Sequence, residues 1–314
     1  MNSVGNNIRK KCFRYWFRPA SAVNLAVARI LFAATALWIV LSRPDLPTLL
    51  TLPDVIWMSV PRMHRVAYLL VFNLMTERVL YVTLAISLMA AIIGLRARVA
   101  CFVSGLLLYH FAPLETLFWT PDPTLRGLTL PTLGLIILAF SRCDRVLSVG
   151  GAKRKTPLIS PEHRWPIRLL QLLLAEVYWF AGIAKLRNAG LAWVSANNLQ
   201  GYLMAYSQLY GIHGGSSLGY RVAAHGTICS LIAWIGISVE LLFPLALFST
   251  RAAMLLVPLA FLVHVGNAVL MHIVFLDAAL LLIFVDWPAL HARFRAALFD
   301  RSTEIGLRRE HFTS

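Results

Sequence analysis

The chain has 314 residues, of which 59% are hydrophobic and 14% charged, with a mean hydropathy of +0.70 and a formal net charge of +15. That is more apolar surface than a soluble core of this size hides, and several runs reach the roughly 20 residues that a helix needs to cross a bilayer, so a soluble domain is excluded. No alternating ten-residue segments suggest a membrane barrel, and no polar domain carries a basic face to nucleic acid, so the charge reads as a signal for membrane orientation.

The N-terminal arm carries Arg9, Lys10, Lys11, Arg14 and Arg18 ahead of an apolar run from Ala22 to Leu41. This run is longer than a signal-peptide core and lacks a small-residue cleavage pattern, which predicts a retained first span. Further spans are predicted at about 77–95, 98–118, 125–141, 166–185, 227–249, 252–268 and 271–286, about eight in all. Arg96 and Arg98, the run of cations from Arg142 to Arg168, Arg251, and Arg293 to Arg309 fall on the same side as the basic arm. By the positive-inside rule that side is cytoplasmic and holds both termini, as expected of an integral protein of a bacterial inner membrane.

Two connections on the outer side are too long for simple turns. Ser42 to Thr76 mixes Pro44, Pro47, Pro53 and Pro61 with Trp57 and Met58, which predicts short interfacial helices. Leu186 to Gly226 gathers Trp193, Tyr202, Tyr206, Tyr210 and Tyr220, residues suited to the headgroup layer, and predicts a cap over the outer mouth. The expected fold is an all-α polytopic membrane protein of about eight transmembrane helices with outer-face interfacial segments. It divides into a basic arm at 1–19, a membrane domain at 20–288 and a basic tail at 289–314. Cys12, Cys101, Cys143 and Cys229 have neither metal-ligand spacing nor a disulfide pattern, and no metal site is expected.

Ionisable groups inside spans are costly, and each calls for a partner, a wet cavity or a role. They are Arg29, His110, Glu176, Lys185, Glu240, His264, His272 and Asp277. Lys185 shares a helix face with Gln171, Tyr178 and Gly182, at spacings of seven, four and three residues. Glu176 lies on the opposite face and is expected against another helix, with Arg29 a candidate counter-charge; Asp277 is expected to pair with Arg29 or a histidine. Lys185 allows two readings: a side chain that snorkels to the headgroups, or a desolvated amine acting as a general base. His264 and Asn267 share a face three residues apart, and His272 follows at the outer turn. His110 reads as a helix contact, and Glu240 as a group that satisfies the carbonyl freed by Pro244. Walker loops, His-Glu-x-x-His and Gly-x-Ser-x-Gly do not occur, which removes support for ATPase and hydrolase readings.

The segments Trp165-Pro-Ile-Arg-Leu-Leu-Gln171, Val177-Tyr-Trp-Phe-Ala-Gly-Ile-Ala-Lys-Leu186 with Trp193 beyond it, Glu240-Leu-Leu-Phe-Pro244 and Phe261-Leu-Val-His264 resemble the HTTM domain, over roughly residues 20–288. That membrane domain is shared with vitamin K-dependent gamma-carboxylase. The resemblance implies that Lys185 is a base that deprotonates a reduced quinone, and that His264 matches the family's histidine. Where the carboxylase has a functional Asn-His, this sequence has Pro121-Asp122, so Asp122 takes a catalytic position. The carboxylase also continues into a lumenal region that holds its peptide substrate, whereas this chain stops soon after the last span. The implied site has Lys185, His264 and Asp122 as catalytic residues and Gln171, Tyr178, Trp193, Asn267 and His272 as substrate-binding residues, with a reduced quinone as cofactor. Short HTTM proteins also include relatives of a sporulation-delaying toxin maturation factor, which process a secreted peptide with a partner. A quinol- or lipid-dependent membrane enzyme and a non-catalytic maturation, transport or immunity factor therefore both stay open, with the bilayer, a quinol or lipid, and a secreted peptide as partners and nucleic acid excluded.

Overall fold

The computed structural model describes residues 2–51, 73–111, 125–149, 158–211 and 218–295. Its helices are α1 (Asn2–Phe17), α2 (Ala22–Leu41), α3 (Leu46–Leu50), α4 (Leu74–Ile93), α5 (Ala97–Phe111), α6 (Thr129–Ala139), α7 (Arg164–Ala189), α8 (Ala196–Gly211), α9 (Leu218–Ala223), α10 (Gly226–Leu242) and α11 (Thr250–Met271). Five helical segments are long and apolar enough to cross a membrane: Ala22–Leu41, Leu74–Ile93, Pro161–Val194, Gly226–Leu247 and Thr250–Met271. α5 and α6 are shorter apolar helices. The chain is an integral, all-α polytopic membrane protein.

The last predicted span takes a different form. Leu276–Phe284 is a 3-10 helix rather than an α-helix. Its rise of about 2.0 Å per residue carries the segment roughly 18 Å, several ångströms farther than an α-helix with the same number of residues. Further short 3-10 turns occupy Leu125–Leu128, Pro161–His163, Gly190–Val194 and Phe243–Leu247, the last of them beginning where Pro244 removes a backbone donor from α10.

Hydrogen bonds tie the ends of these segments into two layers. In one layer the two-residue strands Ala20–Ser21 and Ile159–Ser160 pair antiparallel, Val149 N donates to Ile93 O at 3.2 Å, and Arg98 Nε donates to Ala139 O at 3.2 Å. Arg168 reaches Leu247 O at 3.3 Å, and Asn24 Oδ1 accepts from Trp287 N at 3.0 Å, in the same layer. At the opposite end Tyr81 Oη donates to Val40 O at 2.7 Å, while Ser230 Oγ donates to Val194 O at 2.9 Å. Successive apolar segments therefore run up and down between a basic end and a far end. Side chains cap the helices that begin there: Ser21 accepts from Val23 N, Asn73 from Thr76 N and Ser249 from Ala252 N.

α2 is the central helix. More than half of its apolar window is buried (56%), against 11% for α11, which lies at the periphery. Its buried face includes Ala26, Ala33 and Ala36, small residues that let neighbouring helices approach closely. A Cβ added at Gly134 of α6 would run into the ring of the fully buried Phe32, so glycine sets the α2–α6 contact. At the far end the tyrosine-bearing segment folds as α8 and α9, packed on α10 and α11. Gln200 Nε2 donates to Ala223 O at 2.6 Å and closes this cap. Of the predicted interfacial stretch after the first span, residues 42–51, with α3, and residues 73–76, where α4 begins, fall among the described residues.

Arg29 departs from the charge pairing expected of it. Its guanidinium is fully buried, and it donates to the carbonyl oxygens of Cys143, at 2.6 Å, and of Leu147. Neither Glu176 nor Asp277 is its partner. Both acceptors lie in the non-helical turn that follows α6, where backbone carbonyls have no helical donors, and a planar cation with several N–H groups meets that need directly. Glu176 faces outward from α7 and is exposed, contrary to the expectation of a helix contact. Asp277 stands in the first turn of the Leu276–Phe284 helix and, among the described residues, pairs with neither Arg29 nor a histidine. Replacing Arg29 with methionine strands two carbonyls and is expected to lower stability by roughly 2–4 kcal/mol. A denaturing-detergent titration of wild type against Arg29→Met measures the loss; an equal midpoint would contradict the capping role.

Candidate functional site

The polar stripe of α7 faces the bundle. Near its far end, Lys185 Nζ forms an ion pair with Glu240 Oε1 of α10, the partner that the Pro244 reading of Glu240 did not anticipate. Gly182 makes this pairing possible: a Cβ there would meet Leu241 Cδ2 at 2.9 Å and Glu240 Cβ at 3.2 Å. Without a side chain at 182, α10 comes close to α7 one turn below Lys185, and the carboxylate comes within reach of the ammonium. The Lys185 side chain is 28% exposed and that of Glu240 13%, so the pair is sheltered but reachable. Lys185 Nζ also lies 5.4 Å from the ring centroid of Trp193, in the 3-10 turn just beyond α7. Lys185 therefore turns inward to a carboxylate and an aromatic face instead of simply snorkelling outward.

Two turns along the same stripe, Tyr178 Oη lies 2.6 Å from His264 Nε2 of α11. The Tyr178 ring stacks on Phe243, with centroids 4.3 Å apart and planes 18° apart, and His264 lies 5.1 Å from the ring of Phe275. Lys185 is near enough for its charge to act on His264, and Glu240 and Asp277 likewise act on Tyr178. The lysine–carboxylate pair and the tyrosine–histidine pair thus form one electrostatic cluster. Each pair retains an unused group: Glu240 Oε2 and His264 Nδ1 are buried and have no hydrogen-bond partner. Buried polar atoms without partners are rare in native structures and call for an explanation, a bound group among them.

The other predicted site residues are placed as follows. Asn267 lies one turn beyond His264 on α11; its carbonyl accepts from His272 N and Ile273 N, and its side-chain amide makes no hydrogen bond among the described residues. His272 is the left-handed C-cap of that helix, with φ of 57°. Gln171 belongs elsewhere. It lies fourteen residues before Lys185, about 21 Å along α7, where it donates to Ile283 O at 3.0 Å and accepts from Arg168 at 2.9 Å. Asp122 lies outside the described residues.

A second buried pair joins α4 to α5, with His110 Nε2 at 2.9 Å from Glu77 Oε2, and the Glu77 side chain has no exposure. This matches the helix-contact reading of His110. The sequence reading did not single out Glu77, because it stands at the first residue of the predicted second span, where a carboxylate ordinarily meets headgroups.

In comparisons with known proteins, the family model for the HTTM domain matches residues 17–287. No curated protein and no solved structure matches the chain.

If Gly182 sets the distance between α7 and α10, a larger residue there should uncouple Lys185 from Glu240. A double-mutant cycle with Lys185→Met and Glu240→Gln is expected to give a coupling of about 1–3 kcal/mol in the wild-type background and close to none in Gly182→Val. Equal coupling in both backgrounds would show that the glycine does not control the pair.

Proposed function

The chain belongs to the HTTM-domain family, and from that footing we propose that it is a membrane enzyme carrying out proton-transfer chemistry on a quinol-like lipid at the Lys185–Glu240 and Tyr178–His264 cluster. The observation behind this reading is the pair of unsatisfied buried atoms, Glu240 Oε2 and His264 Nδ1, beside a lysine and a tyrosine in an aromatic-walled site. Lipid hydroxyls need such partners, because the hydrocarbon around them offers none.

The available donor set suits a reduced quinone. Two buried polar atoms without partners, Glu240 Oε2 and His264 Nδ1, belong to side chains paired with Lys185 and Tyr178; the Tyr178 ring stacks on Phe243, and Trp193 lies beside the lysine. When bound, a reduced quinone would supply an ionisable hydroxyl and reducing power. In this reading Glu240 Oε2 accepts the single hydrogen bond of such a hydroxyl, and His264 Nδ1 meets the hydroxyl oxygen as a donor or a second polar group of the ligand as an acceptor, according to its tautomer. Lys185, the base implied by the family resemblance, exchanges its proton with Glu240 within one ion pair, and its positive form offsets negative charge that develops on the ligand. Tyr178 orients the His264 ring through Nε2 and so fixes which nitrogen faces the ligand. Trp193 and the α8–α9 cap limit the entry of water to this end. Asp122, which stands where the family has a different functional pair, remains a candidate for handling protons, and Asn267 and His272 remain candidate ligand contacts on the same side. In this reading the basic end faces the cytoplasm and the cluster opens toward the outer leaflet.

One observation favours the alternative of a maturation, transport or immunity factor acting with a secreted peptide. Glu176 lies exposed on α7 beside the exposed Trp179 and Phe180, a face that a partner helix would cover. In that case the polar cluster only holds helices together, and single substitutions have modest effects.

Turnover of a reduced quinone by proteoliposomes separates the two. Lys185→Ala and His264→Ala are each expected to lower the rate by about 10²-fold or more while the protein still folds and inserts, the loss typical of removing a general acid or base. Full activity in Lys185→Ala would eliminate Lys185 as the base. Absence of any quinol turnover in the wild type would favour the partner reading.

A further inference from the structure

α1 docks on the basic end by one side only. Tyr15 O accepts from Arg164 Nε at 3.1 Å, the guanidinium of Arg168 lies 4.7 Å from the Tyr15 ring centroid, and that ring stacks on Phe248 at 6.0 Å. At 100° per residue, Phe13 and Phe17 project from the opposite side of the helix, flanked by Arg9 and Lys10. The two rings lie 4.9 Å apart and are exposed, Phe13 at 66% and Phe17 at 39%. Arg14 and Lys11 continue the basic flank, and Arg18 follows just past the helix.

These cations meet no carboxylate partner among the described residues. Residues 1–44 contain no aspartate or glutamate, and none of Arg9, Lys10, Lys11, Arg14 and Arg18 forms an ion pair among the described residues. Arg9, Lys10, Phe13, Arg14, Phe17 and Arg18 line an open groove of about 1170 Å³. An apolar pair facing outward between unneutralised cations, on a helix pinned beside transmembrane segments, has the chemistry of the boundary between acyl chains and acidic headgroups.

We propose that α1 is an anionic-phospholipid binding element. It lies along the headgroup layer with Phe13 and Phe17 inserted at the acyl boundary, and Arg9, Lys10 and Arg14 hold the phosphate of an acidic phospholipid in the groove. The anchor sits at the opposite end of the bundle from Lys185, about 30 Å away along α7, and does not depend on the catalytic reading.

The test uses the full-length protein in nonionic detergent, with phosphatidylglycerol or phosphatidylcholine titrated in and bound lipid counted by native mass spectrometry. Wild type is expected to retain phosphatidylglycerol in clear preference to phosphatidylcholine, and the variant R9Q/K10Q/R14Q to lose roughly fivefold or more of that retention at an unchanged melting temperature. Phe13→Ser with Phe17→Ser is expected to weaken both lipids alike. Raising the salt to about 0.5 M should reduce phosphatidylglycerol retention by wild type, a reading that does not depend on any variant folding. Equal retention by wild type and the triple variant, or retention indifferent to salt, would overturn the proposal. Displacement of the lipid by millimolar inorganic phosphate would reassign the groove to a free anion, and duplex DNA competing with equal strength would reassign it to nucleic acid; either result also overturns it.

Discussion

An ammonium can sit inside a bilayer-spanning bundle only if something nearby offsets the loss of water, and in this protein Lys185 has Glu240. The geometry of the far end follows from that pair. α7 and α10 meet where Gly182 has no side chain to hold them apart, and the same close approach sets Tyr178, one turn below Gly182, against Phe243 and His264. The pairing also brings Trp193 over the ammonium from the turn that ends α7. A lysine satisfied in this way is not simply a helix-end residue reaching for headgroups. It belongs to a cluster whose members come from α7, α10 and α11 and are fixed by packing rather than by proximity in sequence.

Much of the fold could be read from the sequence, because bilayer thickness acts on length and hydrophobicity alone. The first span, Ala22–Leu41, has the predicted bounds, and the helices Leu74–Ile93, Arg164–Ala189 and Thr250–Met271 differ from expectation by a few residues at their ends. Helical periodicity also identified the inward stripe, since the positions of Gln171, Tyr178, Gly182 and Lys185 recur at three, four and seven residues. What periodicity does not carry is depth along that stripe: all four residues share a face, yet Gln171 serves the basic end and Lys185 the far end. Nor could hydropathy tell that Leu276–Phe284 winds as a 3-10 helix, because both helical forms are equally apolar.

Partner choice was the least legible part, for a physical reason. A charge inside a span needs satisfying, but the need does not specify by what. Charge counting suggests Glu176 or Asp277 for Arg29, whereas the protein uses backbone carbonyls, which no composition rule registers. Glu240 lies 55 residues from Lys185, and Pro244 gave it a sufficient local explanation. Glu77 escaped notice because its place at a span boundary made it look ordinary, although its side chain is fully buried against His110.

Arg29 and Lys185 solve the same electrostatic problem in opposite ways, and the contrast separates scaffold from candidate chemistry. Arg29 is fully enclosed and engages backbone carbonyls of the turn after α6, which cannot accept its proton, so the arrangement is fixed. Lys185 is partly open and engages a carboxylate, a partner that can take its proton in exchange. Glu240 moreover keeps a second oxygen unengaged, next to a histidine with an unengaged nitrogen. Other buried polar atoms also lack partners, Arg29 Nε, Ser207 Oγ and Trp287 Nε1 among them, so an unengaged atom alone does not mark a site. What distinguishes the Lys185 cluster from the Arg29 cap is that its two unengaged atoms belong to a carboxylate and an imidazole, groups able to exchange protons, each held by a side chain of the same α7 stripe.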